Sequence, residues 1–283
     1  MKVLKNENLA KYTTFKMGGI VEKLYFPENI EELFKISIDK PNTLNYLIGG
    51  GSNLIINDSK TFKEAICLRD FNNEIKKIDE NKFYIGASVR LQQAIKEINK
   101  HNCGGIEYLF SVPGLIGGAI YMNAGRGKKH NKVISDYIIK VDYIENGEIH
   151  SLKKEECQFS YRNSIFQNKK CIIIGALFEF DKMSNYESKE KIKERIELCK
   201  KVQDMSAPNF GTVFCESNKY IMEFARRFGF GKSNGVHFSK KTKNWMLNEK
   251  KGSYKQTINL INKIKKIHKL FRKKCRLEPK IWE

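Results

Sequence analysis

No Cys-x-x-Cys pair occurs in this chain, although seven cysteines stand at 67, 103, 157, 171, 199, 215 and 275. An odd number at wide spacing argues against a disulfide framework or zinc ribbon and for free thiols in a reducing cytoplasm. The five histidines form no metal-ligand pair, so no metal site is expected. The opening residues, "MKVLKNENLAKY", contain no apolar h-region, and no secretory signal is expected. No run of about 18 uncharged apolar residues exists, so no transmembrane helix is expected. Gly-x-Gly-x-x-Gly opening a helix and the P-loop pattern are both missing, which disfavours Rossmann and P-loop folds. Internal repeats and low-complexity tracts are missing too.

What is present is an ordinary globular composition over 283 residues, with 41% apolar and 11% aromatic residues. That length holds two domains with normal cores. The net charge is +20. Such a charge is one footprint of a nucleic-acid binder. Here the lysines are spread along the whole chain. The densest run, "NKIKKIHKLFRKKCR" at 262–276, carries Ile264, Ile267, Leu270 and Phe271 at helical spacing. The lysines then read as a solvated helix face, with only Phe271 as an interleaved aromatic. A positive field would still help capture a phosphorylated substrate.

The first 180 or so residues alternate strand-like and helix-like segments. "KLYFP" and "NYLIGGG" read as strands, with "NIEELFKISID" between them as a helix capped by Asn29. "RLQQAIKEINKHN" sets Leu91, Ala94, Ile95 and Ile98 on one helical face. Asn146-Gly147 marks a hairpin, and "KCIIIGALFEFD" reads as a buried strand. The charged stretch 182–204 reads as an exposed helix between domains, and a second long helix is expected over 254–274. The expected division is therefore 1–183 and 184–283.

Two glycine clusters raise the functional question. "LIGGGSNLIIND" at 47–58 places Gly49, Gly50 and Gly51 before Ser52, Asn53 and Leu54. "GIEYLFSVPGLIGGAIYMNAG" at 105–125 carries Ser111, Pro113, Gly114, Gly117, Gly118, Ala119, Asn123, Ala124 and Gly125. Unblocked N–H groups in such nests bind phosphate oxygens, and two clusters suit a cofactor with a pyrophosphate. Tight turns and sheet-packing glycines are the other reading.

"YTTFKMGG", these two segments and "FSYRNSIFQ" occur in the order and rough spacing of the UDP-N-acetylenolpyruvoylglucosamine reductase family, which the chain resembles most strongly over residues 11–182. The resemblance implies an α+β protein. Its FAD-binding fold would be that of vanillyl-alcohol oxidase-type (PCMH) flavoenzymes, followed by a smaller α+β substrate domain whose last strand returns towards the FAD region. It implies non-covalent FAD on both glycine segments and NADPH as reductant. The substrate is then a UDP-sugar enolpyruvyl ether, handled by a cytoplasmic monomer with no nucleic-acid or membrane partner. The hydride ends on the methylene carbon of that ether. The protein must then hold the carboxylate and supply a proton.

By the same resemblance, Tyr161-Arg162-Asn163-Ser164 matches the motif whose arginine binds the substrate carboxylate, with Tyr161 beside it. A planar fork suits a carboxylate better than an ammonium does. In "NFGTVFCES", Thr212 stands where the family has its proton-donating serine. In the closing "LEPKIWE", Lys280 stands where the family has a catalytic glutamate; it would bind substrate and stabilise the enolate, with Glu278 as the stand-in catalytic carboxylate. Glu278, two residues earlier, would share its face if both lay in one strand. In "SKKTKNWMLN", Thr242 replaces a histidine. The Phe-rich stretch 220–232 would supply apolar and basic residues facing Thr212. Two readings follow: a working reductase with a modified substrate site, or a flavin-binding homologue that has lost or changed this reaction. A nucleic-acid binder, suggested by charge alone, is the third.

Overall fold

The structure is a computed structural model, and it describes residues 1–126, 132–229 and 231–283. Two compact units emerge. One comprises Met1–Leu4, Leu24–Gly50 and Glu64–Cys199; the other comprises Lys5–Lys23, Gly51–Lys63 and Lys200–Glu283.

The first unit is built around an antiparallel five-stranded sheet in the order Glu148–Lys153, Ile138–Glu145, Cys171–Glu179, Lys82–Gly86, Ile75–Lys77. The Asn146-Gly147 hairpin forms with φ of 53° and 78°, pairing Glu145 with Glu148. The central strand is apolar without a break because both of its faces are covered. Ile173, Ala176 and Phe178 enter one core with α2 and α3, while Ile172 and Ile174 enter another with α1. Helix α1 is Ile30–Asp39; Asn29 accepts from Glu32 N, and Leu33 and Ile36 are buried. Helix α2, Leu91–Lys100, buries the four apolar residues its spacing marked. Helix α3 is Ile116–Tyr121 and α4 is Asn185–Val202, an exposed helix that buries only Ser188 and Cys199. Strand Leu47–Ile48 runs parallel to Ile66–Cys67.

The second unit joins three stretches distant in sequence. A three-stranded antiparallel sheet, Asn209–Thr212, Trp245–Asn248 and Val236–Phe238, packs with α5 (Lys219–Arg227) and α6 (Tyr254–Leu270). Phe15, Met17 and Ile55 complete the core beside Phe210, Met246 and Ile264. The last strand, Lys280–Trp282, runs parallel to Leu54–Ile56. Ser253 opens α6 with a reciprocal bond to Gln256. The helix stops at Leu270, four residues before the expected end, and Arg272 turns left-handed with φ of 50°.

All seven cysteines are free thiols, and burial pushes those of Cys157 and Cys171 up to about 12. Among the described residues, no helix is long and apolar enough to cross a membrane, and no cluster of metal-binding side chains occurs.

Candidate functional site

The three consecutive glycines have different reasons to be glycine. Gly51 has φ of 67°, and a Cβ there would run into the Tyr12 carbonyl oxygen, so this glycine serves the fold. Gly50 lies against the second glycine segment: its Cβ would sit 3.2 Å from Gly114 Cα. At Gly49 a Cβ would meet only Leu115 Cδ1, at 3.6 Å. Packing does not demand glycine there.

Four of the five carbonyls of this loop, those of Gly49, Gly50, Gly51 and Asn53, are engaged. Arg69 donates from Nε to Gly49 O (3.2 Å) and from Nη2 to Gly50 O (3.4 Å). Thr14 N donates to Gly51 O, and Lys280 N donates to Asn53 O. The N–H groups of residues 49–53 have no acceptor among the described residues. Backbone N–H groups left without a protein acceptor are free to hold an anion. Arg69 carried no local sequence signal. It comes beside the loop because Leu47–Ile48 and Ile66–Cys67 pair in parallel, so the residues after each strand are neighbours.

In the second segment, a Cβ on Gly117 would stand 3.0 Å from Ala87 Cβ, and one on Gly125 would strike the Lys132 carbonyl oxygen. Gly118 is different. It is exposed, and nothing lies within 4 Å of where its Cβ would be. Ala119 is buried in the core, and Ala124 N closes the end of α3 on Ala119 O. Ser111 Oγ accepts from Arg195 Nε at 2.8 Å, and burial lowers the pKa of that arginine. Asn123 is committed to the protein: Nδ2 donates to Ser160 O and Oδ1 accepts from Ser135 N.

Arg162 sits in a two-residue turn closed by mutual bonds between Ser160 and Asn163, each 3.1 Å. Its φ is 55°, a region that costs a non-glycine residue energy and persists only where neighbours enforce it. Those neighbours are Asn123 on Ser160 O, Ser164 Oγ on Tyr121 O, and Gln167 Nε2 on Arg162 O. The guanidinium donates to Gly125 O at 2.9 Å and stands 5.5 Å from the Tyr161 ring centroid. The turn therefore presents a fixed planar cation beside the second glycine segment. Tyr108 lies deep in the same unit, its hydroxyl buried with no hydrogen-bond partner among the described residues. Sequence pattern gave no sign of it.

In the second unit, Thr212 follows a β-bulge. Asn209 pairs with Leu247 and Thr212 with Trp245, so three steps on one strand face two on the other. Gly211 supplies the bend with φ of 78°. Bulges of this kind re-aim the next side chain. Thr212 is half-buried, and its hydroxyl has no acceptor among the described residues. The neighbouring Val213 O accepts from Glu278 N at 2.9 Å, and Glu278 O accepts from Asn53 Nδ2 at 3.3 Å. The Glu278 backbone is thus pinned between Val213, next to Thr212, and the loop residue Asn53.

Glu278 and Lys280 do not share a strand. Arg276–Leu277 pairs with Phe214–Glu216, Lys280–Trp282 pairs with Leu54–Ile56, and Pro279 lies at the bend between them. The expectation of a common face fails because proline interrupts the ladder. Lys280 is exposed. Thr242 is committed elsewhere, donating to Val202 O at 2.7 Å. In the Phe-rich stretch, Phe224 and Phe228 are exposed, Met222 and Ala225 are core, and Phe230 lies outside the described residues.

The FAD binding domain family matches residues 23–153, and the chain carries that domain. The UDP-N-acetylenolpyruvoylglucosamine reductase of Carboxydothermus hydrogenoformans is 34% identical over 288 residues, covering 99% of this chain and 93% of its own length. The same enzyme of Prochlorococcus marinus is 31% identical, covering 94% of this chain and 92% of its own. The crystal structure of the reductase from Thermus caldophilus matches 100% of this chain and 98% of its own with a TM-score of 0.78, at 21% identity, and so shares the fold. The chain belongs to the UDP-N-acetylenolpyruvoylglucosamine reductase family.

Proposed function

We infer that this protein is an FAD-dependent oxidoreductase that reduces the enolpyruvyl ether of UDP-N-acetylglucosamine to UDP-N-acetylmuramate, a step of peptidoglycan precursor synthesis, with NADPH as reductant. The observation that carries the cofactor reading is the loop at 49–53, four of whose five carbonyls are engaged while its N–H groups have no acceptor among the described residues. Gly49, Gly50, Gly51, Ser52 and Asn53 hold the diphosphate by those N–H groups, and Gly118, with open space where its Cβ would be, leaves room for the cofactor. When bound, FAD supplies the hydride carrier; the residues described here bind, orient and protonate.

Arg162 holds the substrate carboxylate. Its preset turn spares the reorganisation that a free arginine would need, and negative charge grows on that carboxylate as the hydride arrives. Thr212 delivers the proton to the neighbouring carbon. Its hydroxyl is aimed by the bulge at Gly211 and is not spent on a protein acceptor among the described residues. Glu278 lies beside the donor strand through its backbone, a position from which it orients or polarises that hydroxyl. Asn123 acts through the Arg162 turn, as a positioning residue. The protein works as a monomer in the cytoplasm, a compartment supported by its free thiols.

The purified protein should be yellow, and acid precipitation should release intact FAD because no histidine or cysteine stands in either glycine cluster. Flavin that stays with the precipitate, or a colourless protein that takes up no FAD, would refute the cofactor reading.

A further inference from the structure

Two long helices of this chain are lysine-rich, and they differ in one respect. Helix α4 interleaves its basic residues with Glu187, Glu190, Glu194 and Glu197, and Lys191 pairs with Glu187 at 2.7 Å. Helix α6 carries Lys255, Lys263, Lys265, Lys266 and Lys269 and no acidic residue. The chain has no carboxylate side chain between Glu249 and Glu278, while 11 lysines and arginines stand there. A lysine-rich composition accounts for α4. It does not account for a stretch from which acids are missing altogether.

These lysines are mostly exposed, yet they lie together. Lys263, Lys265, Lys266 and Lys269, with Lys232, surround a groove of about 500 Å³. Gln256, Asn259, Asn262 and Ser233 supply amides and a hydroxyl to its wall. No carboxylate lines the groove, and none of the five lysines enters an ion pair among the described residues. Spacings of three and four, as in 263/266 and 265/269, make the ammoniums repel one another. The volume lies within the range of small-ligand sites. Among the described residues its only apolar lining residue is Leu260, and among them no aromatic stands there to stack a base and no apolar floor to hold an acyl chain. Point-charge ammoniums with amide donors are phosphate binders.

We propose that this groove is an oligophosphate-binding site, taking a chain of two or more phosphates, whether inorganic or the tail of a nucleotide. It shares no residue with the flavin loop, Arg162 or Thr212. Each phosphate added to the bound chain relieves repulsion that the free protein retains, so affinity should rise from phosphate to diphosphate to triphosphate. It should fall steeply with salt, because exposed charges are screened over about 8 Å at 0.15 M.

The test is isothermal titration of the FAD-loaded protein with inorganic tripolyphosphate, at low salt and without magnesium. Saturable binding is expected. The double variant Lys263→Gln/Lys266→Gln should weaken it about tenfold or more, since two exposed charge pairs are lost together. The double variant Lys189→Gln/Lys193→Gln removes the same charge from α4 and should leave the affinity unchanged. Equal affinity for ATP and tripolyphosphate assigns the phosphate chain alone, and tighter ATP binding assigns a nucleotide; both uphold the site. The proposal falls on any of three results: tripolyphosphate does not bind, both double variants weaken it alike, or single-stranded oligonucleotides or anionic vesicles bind the groove at least tenfold tighter.

Discussion

In the proposed reaction Arg162 supplies a fixed charge and Thr212 a proton, and substitutions should separate the two roles. Arg162→Lys keeps the charge and loses the fork. It should leave FAD content unchanged and slow turnover of the enolpyruvyl substrate by something on the order of 10². Single-turnover reoxidation of reduced enzyme measures this, and a rate near wild type would remove Arg162 from the carboxylate. Thr212→Val removes the proton and keeps the shape. Reduction by NADPH should stay near wild type while reoxidation by substrate slows by several orders of magnitude. Thr212→Ser should match or exceed wild type, because the serine hydroxyl lacks the methyl that restricts its rotamer. If Thr212→Val turns over normally, the proton comes from elsewhere, and Tyr108, with its buried hydroxyl, becomes the group to examine.

At the scale of the element, the glycine segments separate fold from function. Gly51→Ala places a Cβ against Tyr12 O at φ of 67°, so it should lower the stability of the flavin-free protein. Gly118→Val meets open space and should leave that stability near wild type while lowering FAD affinity. Thermal melts of the apo forms and flavin titrations measure the two effects; an unchanged FAD affinity in Gly118→Val would take that residue out of the cradle. Gly50→Val is a poorer probe, since Gly114 stands 3.2 Å from its Cβ and both effects would mix.

Much of this was legible locally. The Asn29 cap marked α1, hydrophobic spacing marked α2, the Asn-Gly pair marked its hairpin, and the double-sided core explains the unbroken apolar run at 171–178. What was not legible depends on chain segments meeting from afar. Arg69 reaches the loop only through a parallel strand pair. The bend at Pro279 separates Glu278 from Lys280 by giving them different partner strands, which alternation within one segment does not reveal.

For the whole molecule, the second unit is assembled from 5–23, 51–63 and 200–283, stretches with no sequence signature of common membership. They are joined by pairings such as Lys280–Trp282 with Leu54–Ile56. A ligand bound by the native loop alone stabilises the native state by mass action. Free FAD at a hundred times its dissociation constant should contribute about 2.7 kcal/mol. For units of this size that corresponds to a melting temperature roughly 5–10 °C above the apo protein. A calorimetric scan with and without FAD reads it, and coincident melts would mean that flavin does not engage the fold. The net charge of +20 is likewise a property of the whole, yet its least balanced part is the acid-free stretch at 250–277.

The central claim is a hydride path that ends on an enolpyruvyl ether, and anaerobic stopped-flow absorbance of the flavin follows it in two mixes. NADPH should bleach the oxidised flavin band. Adding UDP-N-acetylglucosamine enolpyruvate should then restore it, with one UDP-N-acetylmuramate formed per flavin. A flavin that NADPH bleaches and this substrate never restores would contradict the account and leave a flavoprotein whose chemistry lies elsewhere.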